Sequence, residues 1–160
     1  MTYTELQVTT NYGFLRGASH PHELVETAAA LGHTAIAITD RNTLAGVVRA
    51  HVAARKAGIR AIVGCRLDLE CGLSVLVYPT DRAAYGRLAR LLTLGKRRAP
   101  KGECVLTRGD LFLHGDGQIV IALPPVDVDA PLAALDDGTA FSRDLAALAE
   151  RFAPACYLAA

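Results

Sequence analysis

Apolar residues recur along this 160-residue chain with two alternating rhythms. The segment Tyr3 to Val8 reads as a short strand. Ser19 is placed to cap a helix, with Pro21 in its first turn and Glu23 where the helix dipole favours a carboxylate. Leu24, Val25, Ala28 and Leu31 then recur at helical spacing until Gly32. Ala35-Ile36-Ala37-Ile38-Thr39 is a continuous apolar run, as expected of a strand buried on both faces. A second helix is predicted from about Thr43 to Ala57, with Leu44, Val47, Val48 and His51 to Val52 inward and Gly58 as its cap.

The next strand is predicted over Arg60 to Leu69, with Cys71-Gly72 turning into another at Ser74 to Tyr78. Thr80-Asp81 caps a helix from Arg82 to about Leu94, whose apolar stripe is Leu88, Leu91 and Leu92. Gly95 to Gly102 reads as a basic loop and Leu106 to Leu111 as a capped short helix. Gln118 to Leu123 reads as a buried strand, Pro124 to Gly138 as a Pro/Asp-rich connection and Phe141 to Phe152 as a helix. Ala155 to Ala160 reads as the start of a strand, so the chain is expected to be truncated within its domain. Strand and helix alternating through short connections predicts a parallel α/β sheet.

Composition narrows the classes. A 51% hydrophobic share with 21% charged residues and a formal net charge of +1 describes a globular domain, neither a disordered tail nor a globally basic nucleic-acid binder. With five Tyr, four Phe and no Trp, the core must be largely aliphatic. Cys65, Cys71, Cys104 and Cys156 lack C-x-x-C spacing, so no zinc module is implied and reduced thiols are expected. Met1 to Glu5 does not begin a signal peptide, no run reaches the length of a membrane span, and a cytoplasmic setting is expected.

Several motifs fall in a telling order. Leu6-Gln7-Val8-Thr9-Thr10-Asn11 runs on to Leu15-Arg16-Gly17-Ala18-Ser19, and Ala37-Ile38-Thr39-Asp40-Arg41-Asn42 and Val63-Gly64-Cys65-Arg66 follow. This series resembles the polymerase and histidinol phosphatase (PHP) domain that opens bacterial C-family DNA polymerases. Tyr78-Pro79-Thr80-Asp81-Arg82-Ala83-Ala84-Tyr85-Gly86-Arg87-Leu88 and Leu92-Thr93-Leu94-Gly95-Lys96-Arg97-Arg98 are similar to the error-prone branch. The resemblance implies a PHP-type distorted (β/α)7 barrel, TIM-barrel-like and incomplete at the C-terminus, with residues 1–160 forming the N-terminal part of one domain.

In active PHP domains, the resemblance implies, a His-x-His pair, a loop Asp, a second-strand His and a third-strand Glu bind up to three divalent metals that activate water. Here Gln7 and Thr9 stand for the two histidines, Arg16 for the Asp, Arg41 for the His and Arg66 for the Glu, and Asp40 is retained. Gln and Thr are weak ligands, and Arg only donates and stays charged, so it repels a divalent cation. The expectation is a metal-free pseudo-site in which Asp40 pairs with Arg16, Arg41 or Arg66. Two alternatives stay open: ordinary surface arginines with Asp40 as a helix cap, or a pocket for an anion.

His20-Pro21-His22 looks like a displaced His-x-His, but its side chains are expected to diverge at a helix start, and His33, His51 and His114 read as structural. The basic run Lys96, Arg97, Arg98 and Lys101, with Arg87 and Arg90 upstream, is a candidate contact with DNA or a neighbouring domain. The resemblance further implies a noncatalytic scaffold within an enzyme of translesion synthesis and damage-induced mutagenesis. Its partners would be the parent's polymerase domains, DNA through the parent enzyme, the sliding clamp and mutagenesis accessory proteins, with no membrane. No cofactor is expected in this chain, while the parent polymerase would use Mg. The competing readings are a metal-dependent PHP phosphoesterase or exonuclease, and a small DNA-binding or protein-interaction module.

Overall fold

The computed structural model describes residues 3–13, 15–125 and 140–159. They divide into two compact units, 1–66 and 67–160.

The first unit repeats one motif. Strand β1 (Glu5–Val8), helix α1 (Pro21–Ala30), strand β2 (Ala35–Ile38), helix α2 (Val47–Ala57) and strand β3 (Arg60–Val63) follow in order. The strands lie parallel in the order β1-β2-β3, with Ile36 opposite Ala61 and Ile38 opposite Val63. Pro21 begins α1 without forfeiting a needed N–H, and Glu23 reaches back to accept from the His20 backbone N–H at 2.7 Å. His20, not Ser19, is therefore the capping residue.

Val25 and Ala28 of α1, Ile36 and Ile38 of β2, and Ala50, Ala53 and Ala54 of α2 make one core, with Val8, Leu24, Ala57, Ile59 and Ala61 around it. Alanines face inward on α2, and this lets the helix lie close to its neighbours. Val48 and Val52, expected inside, are 68% and 49% exposed, and His51 is exposed as well. Gly58 ends α2 in the left-handed conformation at φ 73°, with its N–H bonded to the Ala54 carbonyl.

The second sheet is mixed. It contains β4 (Cys65–Asp68, whose first two residues belong to the first unit), β5 (Ser74–Pro79), β6 (Gln118–Leu123) and β7 (Cys156–Leu158) in the order β4-β5-β6-β7. Strands β5 and β6 pair antiparallel from Ser74–Leu123 to Pro79–Gln118, and β6 and β7 pair parallel. The helices are α3 (Arg82–Arg98), α4 (Arg108–His114) and α5 (Ala140–Phe152). Leu67, Val75, Val77, Leu88, Leu106, Leu111, Val120 and Leu148 are among the side chains fully buried in this unit.

The expected all-parallel sheet is thus corrected, because β5 and β6 pair antiparallel. Among the described residues the strands form two separate sheets, and no closed barrel is present. The cause is local: Gly64 divides the predicted Arg60–Leu69 strand in two, and the tight Leu69–Leu73 turn, with Gly72 at φ 87°, joins β4 directly to β5 without an intervening helix. Helix α3 also runs through the predicted basic loop to Arg98. Part of the predicted 124–138 connection lies outside the described residues. All four cysteines are free thiols, and no described helix is long and apolar enough to cross a membrane.

Candidate functional site

The C-terminal ends of β1 and β2 lie side by side because the strands are parallel neighbours, and the Thr39 N–H bonds to the Val8 carbonyl at 2.8 Å. That end of a parallel sheet is where strand–helix loops gather side chains. Buried polar residues gather there, Thr10 after β1 and Thr39 and Asp40 after β2, which are 0%, 1% and 1% exposed. The Thr10 backbone N–H donates to Asp40 Oδ1 at 2.6 Å, and the Thr10 hydroxyl donates to Oδ2 at 2.7 Å. The same hydroxyl accepts the Tyr12 N–H at 3.1 Å, so its capacity is used in both directions.

Glycines let the chain close around this pair. A Cβ on Gly46 would lie 2.9 Å from Asp40 Oδ2 and 3.1 Å from Thr10 Oγ1, and one on Gly13 would lie 2.7 Å from Thr9 Cγ2 and 3.3 Å from Asp40 Oδ1. Behind the carboxylate, the backbone of 40–42 is laced to 65–66. The Arg66 N–H donates to the Asp40 carbonyl at 3.2 Å and the Asn42 N–H to the Arg66 carbonyl at 2.8 Å, with Asn42 at φ 51°. The buried Cys65 thiol also donates to the Asp40 carbonyl, at 3.4 Å.

The predicted positions separate by burial. Asp40 alone is buried, Thr9 and Arg66 are half-buried, and Gln7, Arg16 and Arg41 are exposed. Arg41 and Arg66 are brought together through a backbone bridge between the adjoining chain segments. The expected Asp40–arginine ion pair is corrected: the donor that holds both carboxylate oxygens is Thr10. Asp40 is not a helix cap either, because α2 starts at Val47 behind Gly46. The functional residue that sequence reasoning missed is Thr10. It sits beside Thr9, which took attention because it occupies a ligand position of the PHP motif.

A divalent metal fits this donor set poorly. It would find one carboxylate whose two oxygens already accept short hydrogen bonds, beside Gln, Thr and Arg side chains. Among the described residues no three His, Cys, Asp or Glu side chains are grouped to hold a metal ion.

The remaining candidates have structural partners. The His20 and His22 rings do not diverge but stack, with centroids 5.5 Å apart, and His33 Nδ1 donates to the Tyr3 carbonyl at 3.1 Å. His51 is exposed on α2, and His114 ends α4. Within the basic run, Arg98 makes a two-armed ion pair with Asp110, and Arg87 Nε donates to the Asp116 carbonyl at 2.7 Å. Arg98 holds the Asp110 carboxyl down at about 2, against the penalty of burial and with help from Thr107. Arg90, Lys96, Arg97 and Lys101 are exposed.

The PHP domain family profile matches residues 5–153. This chain belongs to the PHP domain family. Over 129 residues it is 57% identical to error-prone DNA polymerase 3 of Agrobacterium fabrum, a match covering 81% of this chain and 12% of that protein. It is 59% identical over 128 residues to the error-prone DNA polymerase of Caulobacter vibrioides, covering 79% of this chain and 12% of the relative. The Aromatoleum aromaticum error-prone DNA polymerase matches 98% of this PHP chain at 46% identity, over 14% of its own length. The chain therefore spans about an eighth of the length of these relatives. In fold it is similar to a proposed metal-dependent phosphoesterase from Bifidobacterium adolescentis, with TM-score 0.57, 14% identity, and coverage of 88% of this chain and 73% of that one. An amidohydrolase from Chromobacterium violaceum also gives TM-score 0.57, at 16% identity, covering 82% of this chain and 70% of the other.

Proposed function

We propose that this PHP domain is metal-free and noncatalytic, and serves as a scaffold for the polymerase domains of an error-prone DNA polymerase in translesion synthesis and damage-induced mutagenesis. The observation that carries this reading is the double hydrogen bond from Thr10 to Asp40. A carboxylate that binds metal must offer lone pairs to the ion. Here each oxygen already gives one lone-pair site to a neighbouring threonine at full burial, and the adjoining motif positions hold side chains that cannot neutralise a dication.

In this reading Asp40 fixes the end of β1 to the end of β2, a task that the metals would perform in a PHP hydrolase. The exposed arginines at 16 and 41 remain as fixed positive charge where a cluster of cations would bring it. DNA, the sliding clamp and accessory proteins are reached through the parent enzyme, whose polymerisation uses Mg, in the cytoplasm. The competing reading is a metal-dependent phosphoesterase or exonuclease. Incubation of the purified chain with an activated phosphodiester and added Mn²⁺ or Zn²⁺ separates the two. The proposal expects hydrolysis no faster than in buffer with the same metal; hydrolysis that disappears in Asp40→Asn would overturn it.

A further inference from the structure

Helix α3 reads Arg-Ala-Ala-Tyr-Gly-Arg-Leu-Ala-Arg-Leu-Leu-Thr-Leu-Gly-Lys-Arg-Arg, with six cations and no acid. Its inner face is Ala84, Leu88, Leu91, Leu92 and Gly95. Two of the cations, Arg87 and Arg98, flank that face and bind the Asp116 carbonyl and the Asp110 carboxylate. The others, Arg82, Arg90, Lys96 and Arg97, are exposed. Arg82, Arg90 and Arg97 fall within about 80° of one another around the helix, about 12 and 10 Å apart along its axis.

Among the described residues, intramolecular electrostatics accounts for only part of this. Lys96 and Arg97 lie in the last turn, where the helix dipole favours cations. Arg82 occupies the first helical position, where the same dipole opposes it. Arg90 has Gly86, Arg87, Thr93 and Leu94 as its neighbours three and four residues away, which supplies one like charge and no acid. The ion pairs Arg98–Asp110, Arg108–Asp144 and Arg151–Asp116 in this unit use none of the four exposed cations. Tyr85, 38% exposed, lies about 60° from Arg82 around the helix, on the side away from Arg90 and Arg97.

We propose that this face of α3 binds the phosphate backbone of nucleic acid without regard to sequence. Guanidinium groups suit phosphate through paired N–H donors, and an exposed tyrosine beside Arg82 can stack on an unpaired base. The surface is separate from the Asp40 site: metal binding tests that site, and DNA titration tests this face, so either can fail alone.

The test is fluorescence anisotropy of labelled oligonucleotides of unrelated sequence, duplex and single-stranded, titrated with the purified chain between about 50 and 200 mM salt. Affinity should fall steeply with salt and differ little between sequences. The triple variant Arg82→Gln/Arg90→Gln/Arg97→Gln should bind duplex at least ~10-fold more weakly and lose about 2.7 from the log–log salt slope, at ~0.9 per phosphate contact. Arg55→Gln/Lys56→Gln, which removes two exposed cations from α2, should leave both unchanged. Should the triple variant fail to fold, Arg90→Gln alone carries the test with a slope loss of about 0.9. No binding by the parent chain at the lowest salt would overturn the proposal, as would an unchanged triple variant or an equal loss in the α2 control. Polyglutamate competing as well as DNA at equal charge would instead assign the face to an acidic protein.

Discussion

Thr10 and Asp40, thirty residues apart, meet through two short hydrogen bonds at the ends of neighbouring parallel strands, with both side chains out of solvent. A buried carboxylate without donors would be costly, and Thr10 supplies donors from backbone and side chain together. Removing one of them should cost more than an average surface change. Thr10→Val keeps the volume and the backbone N–H but leaves Oδ2 without its hydroxyl. The expected loss is about 1.5–3 kcal/mol in urea unfolding, the scale of a hydrogen bond to a charged group, and Thr10→Ser should recover most of it. Equal stability of Thr10→Val and the parent would show that the contact contributes nothing.

The crowding around the same pair predicts opposite outcomes for two glycine substitutions. Gly46→Ala would push a methyl to 2.9 Å from Asp40 Oδ2, against atoms fixed by hydrogen bonds, so it should destabilise by about 1–3 kcal/mol. Gly86, in the middle of α3, has nothing within 4 Å of an added Cβ, so Gly86→Ala should stabilise by up to ~1 kcal/mol through helix propensity. Thermal or urea unfolding of both variants checks the pair, and a common sign would refute the packing argument.

Asp110 carries a pH signature. Arg98 and Thr107 hold its carboxyl at about 2 in the folded protein, below the ordinary value of 3.8. A depressed folded value stabilises the fold fully above the ordinary value, and the gain is lost as pH falls from there through about 2. Asp110→Asn should therefore be less stable than the parent at neutral pH, and the two should converge as the solution is acidified through that window. Unfolding curves that stay a constant distance apart down to pH ~2 would show that this group is not the source.

The first unit was largely legible in sequence because its cues are local: an apolar run for β2, Pro21 and Glu23 at the start of α1, and Gly58 ending α2 in the left-handed conformation. What failed were residues whose role is set from a distance. Gly95 reads as a helix stop, yet α3 passes through it, because a Cβ there would lie 2.6 Å from Leu106 Cδ2 and 2.7 Å from Cys104 Sγ. That glycine is required by packing. Val48 and Val52 look like core residues by type, but Ala50, Ala53 and Ala54 take the inner face of α2. The β5–β6 antiparallel pairing depends on partners far along the chain, and so does the choice of Thr10 over an arginine as the partner of Asp40.

We propose that the Thr10–Asp40 hydrogen-bonded pair stands where a PHP metal site would be. The most direct test is elemental analysis of the purified chain after equilibration with Zn²⁺ or Mn²⁺ and removal of free metal, with Asp40→Asn alongside. A metal-free domain should hold far less than one bound metal per chain, with no difference between the parent and the variant. Stoichiometric metal in the parent that is lost in Asp40→Asn would contradict it.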